Sequence, residues 1–220
     1  MDKLSAPSIV LPPTVPLFPL PSVVLFPHVL LPLHVFEERY RLMVEAALRG
    51  ERLIGMVLLR PGSQSDYRNR PPVYSIGCAG VITHCQRLDD GRYNIVLQGV
   101  ERFRIAAEDA SGAFRVAQVE ALPETSPDPG EAETRQRRLR LDALLARSVE
   151  RAGGTPRLPE NPADHALVNA LAQYLDFEPV ERQALLECDG VCARADSLIN
   201  LLEMRLRAQP TLPSERGAVH

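Results

Sequence analysis

Lysine is almost missing from this chain: Lys3 is the only one among 25 lysines and arginines. A P-loop lysine, a Ser-Lys dyad and a Schiff-base lysine each need an amine held in a folded site. Lys3 falls in a short tail expected to be loose, so those mechanisms are excluded. Tryptophan is absent and only six Phe and five Tyr are present, so the core needs most of its aromatics inside. Cysteine is sparse. Cys78, Cys85, Cys188 and Cys192 fit neither usual zinc spacing and read as reduced, mostly buried thiols. No metal or cofactor is expected. Long apolar runs are lacking too: a bilayer span needs about 18 to 20 consecutive apolar residues, and a signal peptide needs a basic start feeding an unbroken apolar stretch. Here Asp2 and Lys3 cancel, and proline interrupts every few residues. The expectation is a cytoplasmic protein with no membrane partner. A net charge of -3 supplies no global attraction to nucleic acid or anionic lipid.

What the chain does have is concentrated between Val15 and Gly50. Five prolines (Pro16, Pro19, Pro21, Pro27, Pro32) cut a dense apolar pattern, VPLFPLPSVVLFPHVLLPLHVF, that leads into the amphipathic EERYRLMVEAALRG. Each proline removes an amide donor and fixes its own φ, so the run cannot be one helix; it reads as short strands with sharp corners, as in a small irregular barrel. Phe36 to Leu48 places Tyr40, Met43, Val44, Ala47 and Leu48 at helical spacing. Glu37 and Glu38 open that helix, Glu45 can pair with Arg49, and Gly50 is expected as a left-handed cap.

Arg52 to Leu59 reads as a buried strand, and the polar stretch from Arg60 to Pro72 as a long loop that could act as a lid. Ser75 to Leu88 and Arg92 to Ile105 flank Asp89-Asp90-Gly91, which predicts a hairpin. Tyr93, Ile95 and Leu97 alternate with polar neighbours as in a half-buried strand, and Ala113 to Leu122 supplies one more. PETSPDPG at 123–130 divides the chain. Beyond it the pattern is helical: an arginine-rich segment from Glu131 to Ala152, a helix capped at Asn161-Pro162, a short one from Pro179 to Glu187, and one from about Val191 to Arg207. Four helices on short loops make a bundle. The fold class is therefore α+β, a barrel over residues 13–123 followed by a C-terminal α-helical bundle over residues 131–208.

These residues resemble a known family, the N-terminal substrate-binding domain of Lon proteases, which also occurs in cereblon and in stand-alone bacterial proteins. PLFPLPSVVLFPHVLLPLHVFEERYRLMVEAAL, GCAGVI, DGRYNIVLQGVERFRI and ALVNALAQYLDFEPVERQALLE carry the resemblance across nearly the whole chain. It implies a PUA-like β-barrel followed by a helical bundle, and a role in recognising polypeptides. In the protease the ATPase and the Ser-Lys peptidase lie downstream, and the lysine shortage keeps this chain from supplying such a dyad. One departure is local: Phe26-Pro27 is followed by His28 where the family usually has glycine, so a corner needing φ > 0 would be strained.

Functional readings of single residues compete with plain ones. His28 and His34 near Glu37 and Glu38 suggest a metal or an acid/base pair, but no third ligand stands at a convincing spacing. Cys78 and His84 suggest a nucleophile and base, yet in one extended strand they stand roughly 20 Å apart. No serine sits in a G-x-S-x-G setting. No catalytic residue is assigned. Arg135, Arg137, Arg138 and Arg140 can meet phosphate, although Glu131, Glu133, Asp142 and Glu150 dilute them. Phe18, Phe26, Leu30, Leu33, Phe36 and Tyr40 can line an apolar groove near the junction of the two parts, with two or three exposed and the rest in the core. The polypeptide-binding candidates are accordingly Phe26, His28, Leu30, Leu33, Phe36 and Tyr40. The expected function is a non-catalytic polypeptide-recognition module whose partners are unfolded or apolar segments, with a separately encoded protease or ATPase as a further partner. The alternative is an RNA-binding module using the barrel and the arginine-rich helix.

Overall fold

A computed structural model describes residues 10–62, 71–109, 111–124, 130–151 and 164–208. Six strands appear among these residues, β1 (Thr14–Leu20), β2 (Leu30–Val35), β3 (Leu53–Leu58), β4 (Ile76–Arg87), β5 (Tyr93–Asp109) and β6 (Arg115–Leu122), with helix α1 (Glu38–Arg49) between β2 and β3. The sheet order is β2-β5-β4-β3-β1-β6, and β5 also pairs with β6. That second pairing closes β5, β4, β3, β1 and β6 into a barrel. β5 can serve two neighbours because it is 17 residues long: Tyr93 to Gln98 meet β2, and Arg102 to Asp109 meet β6. The β4–β5 hairpin turns at Gly91, whose φ is 80°.

Val15, Leu17, Val57, Ala79, Phe103 and Ala117, from all five barrel strands, fill the interior. Phe103 is the largest of them. At Gly77 a Cβ would sit 2.7 Å from the Phe103 ring, so glycine there lets β4 close over the aromatic.

Four helices follow: α2 (Gly130–Arg151), α3 (Asp164–Tyr174), α4 (Pro179–Glu187) and α5 (Gly190–Ala208), with α5 packed against the other three. α4 begins with Pro179 and a reciprocal cap in which Glu178 and Glu181 each satisfy the other's backbone amide. One larger apolar core runs continuously from α1 and the outer side of the barrel (Tyr40, Met43, Ile54, Met56, Leu97) into the helices (Leu141, Leu145, Val168, Leu186, Leu198, Leu202).

Two local expectations need correction. Gly50 is not a left-handed cap, since its φ is -112°. The left-handed residue is Arg52, φ 60°, whose amide returns to the Ala47 carbonyl at 2.9 Å. Glu45 accepts a hydrogen bond from the Tyr93 hydroxyl at 3.0 Å, which ties α1 to the β4–β5 hairpin. The Asn161-Pro162 cap and most of the loop between Arg60 and Pro72, namely 63–70, lie outside the described residues.

Candidate functional site

β2 is the one strand outside the closed ring, and it pairs with β5 alone among the described residues. Strand alternation turns Leu31, Leu33 and Val35 toward the core and Leu30, Pro32 and His34 outward. Phe36 continues the outward set, and its ring stacks at 6.3 Å on His34. Leu30 is 49% and Phe36 62% exposed. Across β5 the same face presents Gln98, Val96 and Asn94, opposite Leu30, Pro32 and His34.

The corner leading into β2 is held from both sides. His28 has φ 64°, so the strained corner anticipated where the family has glycine does exist here. Its amide donates to Gly99 O at 2.8 Å, and Gly99 N donates to Val29 O at 2.9 Å. A Cβ on Gly99 would lie 2.0 Å from the Phe26 carbonyl oxygen, so the close approach requires glycine.

From the other side, α3 reads the backbone of the corner with amide side chains. Gln173 Oε1 accepts from Phe26 N at 3.0 Å while its Nε2 donates to Leu30 O at 3.1 Å. Asn169 Nδ2 donates to Pro27 O at 3.0 Å. The Tyr174 hydroxyl donates to Leu30 O at 2.7 Å, with the ring 64% exposed.

Behind these lies a buried ion network. Arg194 of α5, fully buried, donates to Asn169 Oδ1 at 2.5 Å and to Leu185 O at 3.0 Å, pairs with Glu124 at 2.5 Å, and places its guanidinium over the Phe26 ring. Arg102 of β5 lies 3.6 Å from Glu124 and donates to Leu186 O and Cys188 O. Burial chiefly, and then the neighbouring Arg194 charge, holds the Arg102 guanidinium below its ordinary range. Sequence reading missed Asn169, Gln173, Tyr174 and Arg194. They are ordinary polar residues of amphipathic helices, and nothing local said what they faced.

Two of the six candidates leave the site. Phe26 has no exposed surface and Tyr40 is 4% exposed. Phe26 is roofed by Arg194, while Tyr40 packs at 4.4 Å on Phe18 and hydrogen-bonds Pro19 O. With so few aromatics, the core claimed both. Leu33 is half-buried against the core and His28 marks the corner, so Leu30 and Phe36 carry the exposed apolar surface, joined by Tyr174.

Cys78 is wholly buried, hydrogen-bonds Ala79 O, and burial pushes its thiol up, which disfavours the thiolate form. His34 is held between Asn94 Oδ1 (2.7 Å) and Arg92 Nη1 (3.2 Å). Since the guanidinium donates to Nε2, the proton sits on Nδ1 and is given to Asn94. Among the described residues no group of three His, Cys, Asp or Glu could hold a metal ion, and no helix is long and apolar enough to cross a membrane. Three of the arginines of α2 are drawn into ion pairs: Arg137 with Asp196 and Glu133, Arg138 with Asp142, Arg140 with Glu203.

A closed barrel that displays one braced strand with exposed apolar side chains beside a helical layer defines an α+β domain. The chain belongs to the family of the ATP-dependent protease La (LON) substrate-binding domain, whose model matches residues 14–204. A Lon protease of Paraburkholderia phytofirmans is 32% identical over 198 residues, covering 86% of this chain and 24% of that protein. A Lon protease of Cytophaga hutchinsonii is 26% identical over 92% of this chain and 25% of its own length. The chain thus spans about a quarter of the length of these curated relatives. Among solved structures, a Lon N-terminal domain protein from Xanthomonas campestris superposes with a TM-score of 0.58 at 25% identity, covering 90% of this chain and 99% of its own. The N-terminal domain of a Mycobacterium avium complex Lon protease does so at 0.61 and 22%, over 86% and 98%, which supports the fold.

Proposed function

We propose that this chain is a non-catalytic polypeptide-recognition module that takes exposed apolar side chains on the outward face of β2 and the adjoining end of α3. The observation that carries the reading is the exposure of Leu30, Phe36 and Tyr174 around a strand braced by Gln173, Asn169 and Gly99. Large apolar groups left open on a rigid element are what a recognition surface needs, because little entropy is lost on binding.

The face reads side chains rather than adding a strand. The Leu30 carbonyl is taken by Gln173 and Tyr174, and Pro32 has no amide to donate, so the edge is blunted. Family membership supports a substrate-binding role, and four free thiols fit a cytoplasmic setting. A separately encoded protease or ATPase is a fitting downstream partner. The pairing of Arg137, Arg138 and Arg140 with carboxylates weighs against the RNA-binding alternative.

The test is binding to an array of peptides from unfolded model proteins, with structured RNA run alongside at low and high salt. Salt-tolerant capture of apolar peptides is the expected result. RNA capture that collapses with salt while peptides stay silent would overturn the reading, since phosphate contacts carry counterion release.

A further inference from the structure

Two buried cations share one carboxylate oxygen where the helices meet the barrel. Arg102 of β5 is 3% exposed, and Arg194 of α5 has no exposed surface. Glu124 Oε1 lies 2.5 Å from Arg194 Nη1 and 3.6 Å from Arg102 Nε, and among the described residues neither arginine has another ion pair. The two guanidiniums repel, and Asp189, exposed on the turn between α4 and α5, offsets Arg102 less than Glu124 does. Arg102 also reaches the carbonyls that end α4, Leu186 O at 3.0 Å and Cys188 O at 2.6 Å.

This arrangement is balanced between opposing terms. Arg102 Nε and Arg194 Nη2 are buried donors with no hydrogen-bond acceptor among the described residues, so each carries its full desolvation cost, and a half-satisfied buried network is unfavourable as a whole. Against that stands the apolar core shared by the two halves, where Phe26, Met56 and Cys78 belong to one cluster with Leu185, Leu186 and Leu198. Parting the helices from the barrel would hydrate both guanidiniums and uncover that core. Glu124 decides between the two arrangements, because it alone turns a repelling pair into a bridged one. It stands between β6, which ends at Leu122, and α2, which begins at Gly130, and its side chain is 22% exposed while both partners are buried.

We infer that Glu124 is a conformational latch: with its charge in place the C-terminal helices lie closed on the barrel, and without it they part from β4 and β5 while the barrel stays folded. The barrel can do so because Val15, Leu17, Val57, Ala79, Phe103 and Ala117 form an interior core of their own, separate from the core shared with the helices. The opening breaks the hydrogen bonds that cross the boundary from α4, Gln183 to Ile76 O and Arg182 to Ser22 O, together with those of Arg102. Local openings of this kind involve contiguous units that separate below the free energy of global unfolding. The latch goes beyond the recognition reading and does not depend on what the β2 face takes up.

Cys78 reports the opening. It is wholly buried on β4 in the shared core, near enough to Arg194, Glu124 and Arg102 to sense their charges. The full chain is alkylated with iodoacetamide over a urea series, and peptide mass spectrometry separates Cys78 from the half-buried Cys85, Cys188 and Cys192. In the parent, Cys78 labelling at low urea should rise with urea less steeply than global unfolding does, the mark of a sub-global opening. Glu124→Gln keeps the shape and removes the charge, and should speed that low-urea labelling at least about tenfold. Val15→Ala thins the separate barrel interior, and should lower the urea midpoint while leaving low-urea labelling as in the parent. Labelling of parent Cys78 through global unfolding alone would overturn the latch, whether or not the Gln variant folds. So would a Gln variant labelled at the parent's rate, or a Val15→Ala variant accelerated as much as the Gln variant, since the charge would then have no part in the opening.

Discussion

Replacing Arg194 with methionine should cost this protein more stability than any surface change near the site. The guanidinium is fully buried and donates to Asn169 Oδ1 and Leu185 O, as well as pairing with Glu124 at 2.5 Å. Methionine retains the length and apolar contact of the stem but leaves Asn169 Oδ1 and the Leu185 carbonyl without their donor. Glu124 would keep only Arg102, 3.6 Å away. Hydrogen bonds to a charged group contribute about 1.5–3 kcal/mol each, and removing one partner of a buried ion pair costs about 3–5 kcal/mol. The two figures describe overlapping contacts, so the expected loss is about 3–5 kcal/mol. For a chain of this size that is a fall in Tm of about 6–20 °C. Urea unfolding followed by far-UV circular dichroism measures it, the chain having no tryptophan to report by fluorescence. Arg194→Lys keeps the charge but loses the planar fork, and should recover only part of the loss. A Met variant within about 1 kcal/mol of the parent, at unchanged m-value, would refute the claim that this network binds helices to barrel.

Three further outcomes follow from single positions. His28→Gly should stabilise by up to about 1 kcal/mol, because the relief of a left-handed side chain outweighs glycine's greater freedom in the unfolded chain; a lower urea midpoint would contradict this. Gly99→Ala should destabilise by more than about 2 kcal/mol and weaken peptide binding, since its Cβ would press on the Phe26 carbonyl; a midpoint equal to the parent's would show that the corner can move. Burial raises the Glu101 carboxyl above its ordinary range, so the folded state favours its protonated form. That contribution is complete below the unfolded pKa and is lost as pH rises through the folded one. Glu101→Gln should therefore gain on the parent as pH rises from about 4 to neutral, and urea midpoints at the two pH values give the sign.

Much of the architecture was legible locally. Proline spacing ruled out one long helix between Val15 and Val35, the DDG turn located the β4–β5 hairpin, and period-2 burial of Tyr93, Ile95 and Leu97 stands as read. Pro179 starts α4, and α5 extends one residue beyond the expected start and end. The site was half legible. Leu30 and Phe36 lie on the expected segment, but apolar character cannot tell an anchor from a core residue, and Phe26 and Tyr40 proved to be core. The left-handed turn after α1 was assigned to Gly50, whereas Arg52 takes it, because a return to the Ala47 carbonyl is a matter of chain path rather than residue type.

Sequence alone determined which familiar catalytic motifs this chain lacks. One lysine, no elbow serine and cysteines in neither usual zinc spacing remove particular mechanisms, and backbone preferences of proline and glycine set where strands and helices begin and end, since those are properties of each residue and its neighbours. Tertiary structure decided which apolar side chains face water and what Asn169, Gln173, Tyr174 and Arg194 are for. Their partners lie on the Phe26–Leu30 segment, on Glu124 and within the helices, 143 residues distant in the case of Gln173 and Leu30. Hydrogen bonds and burial depend on distance in space, and only the closed barrel, with the helices laid against it, brings those groups together.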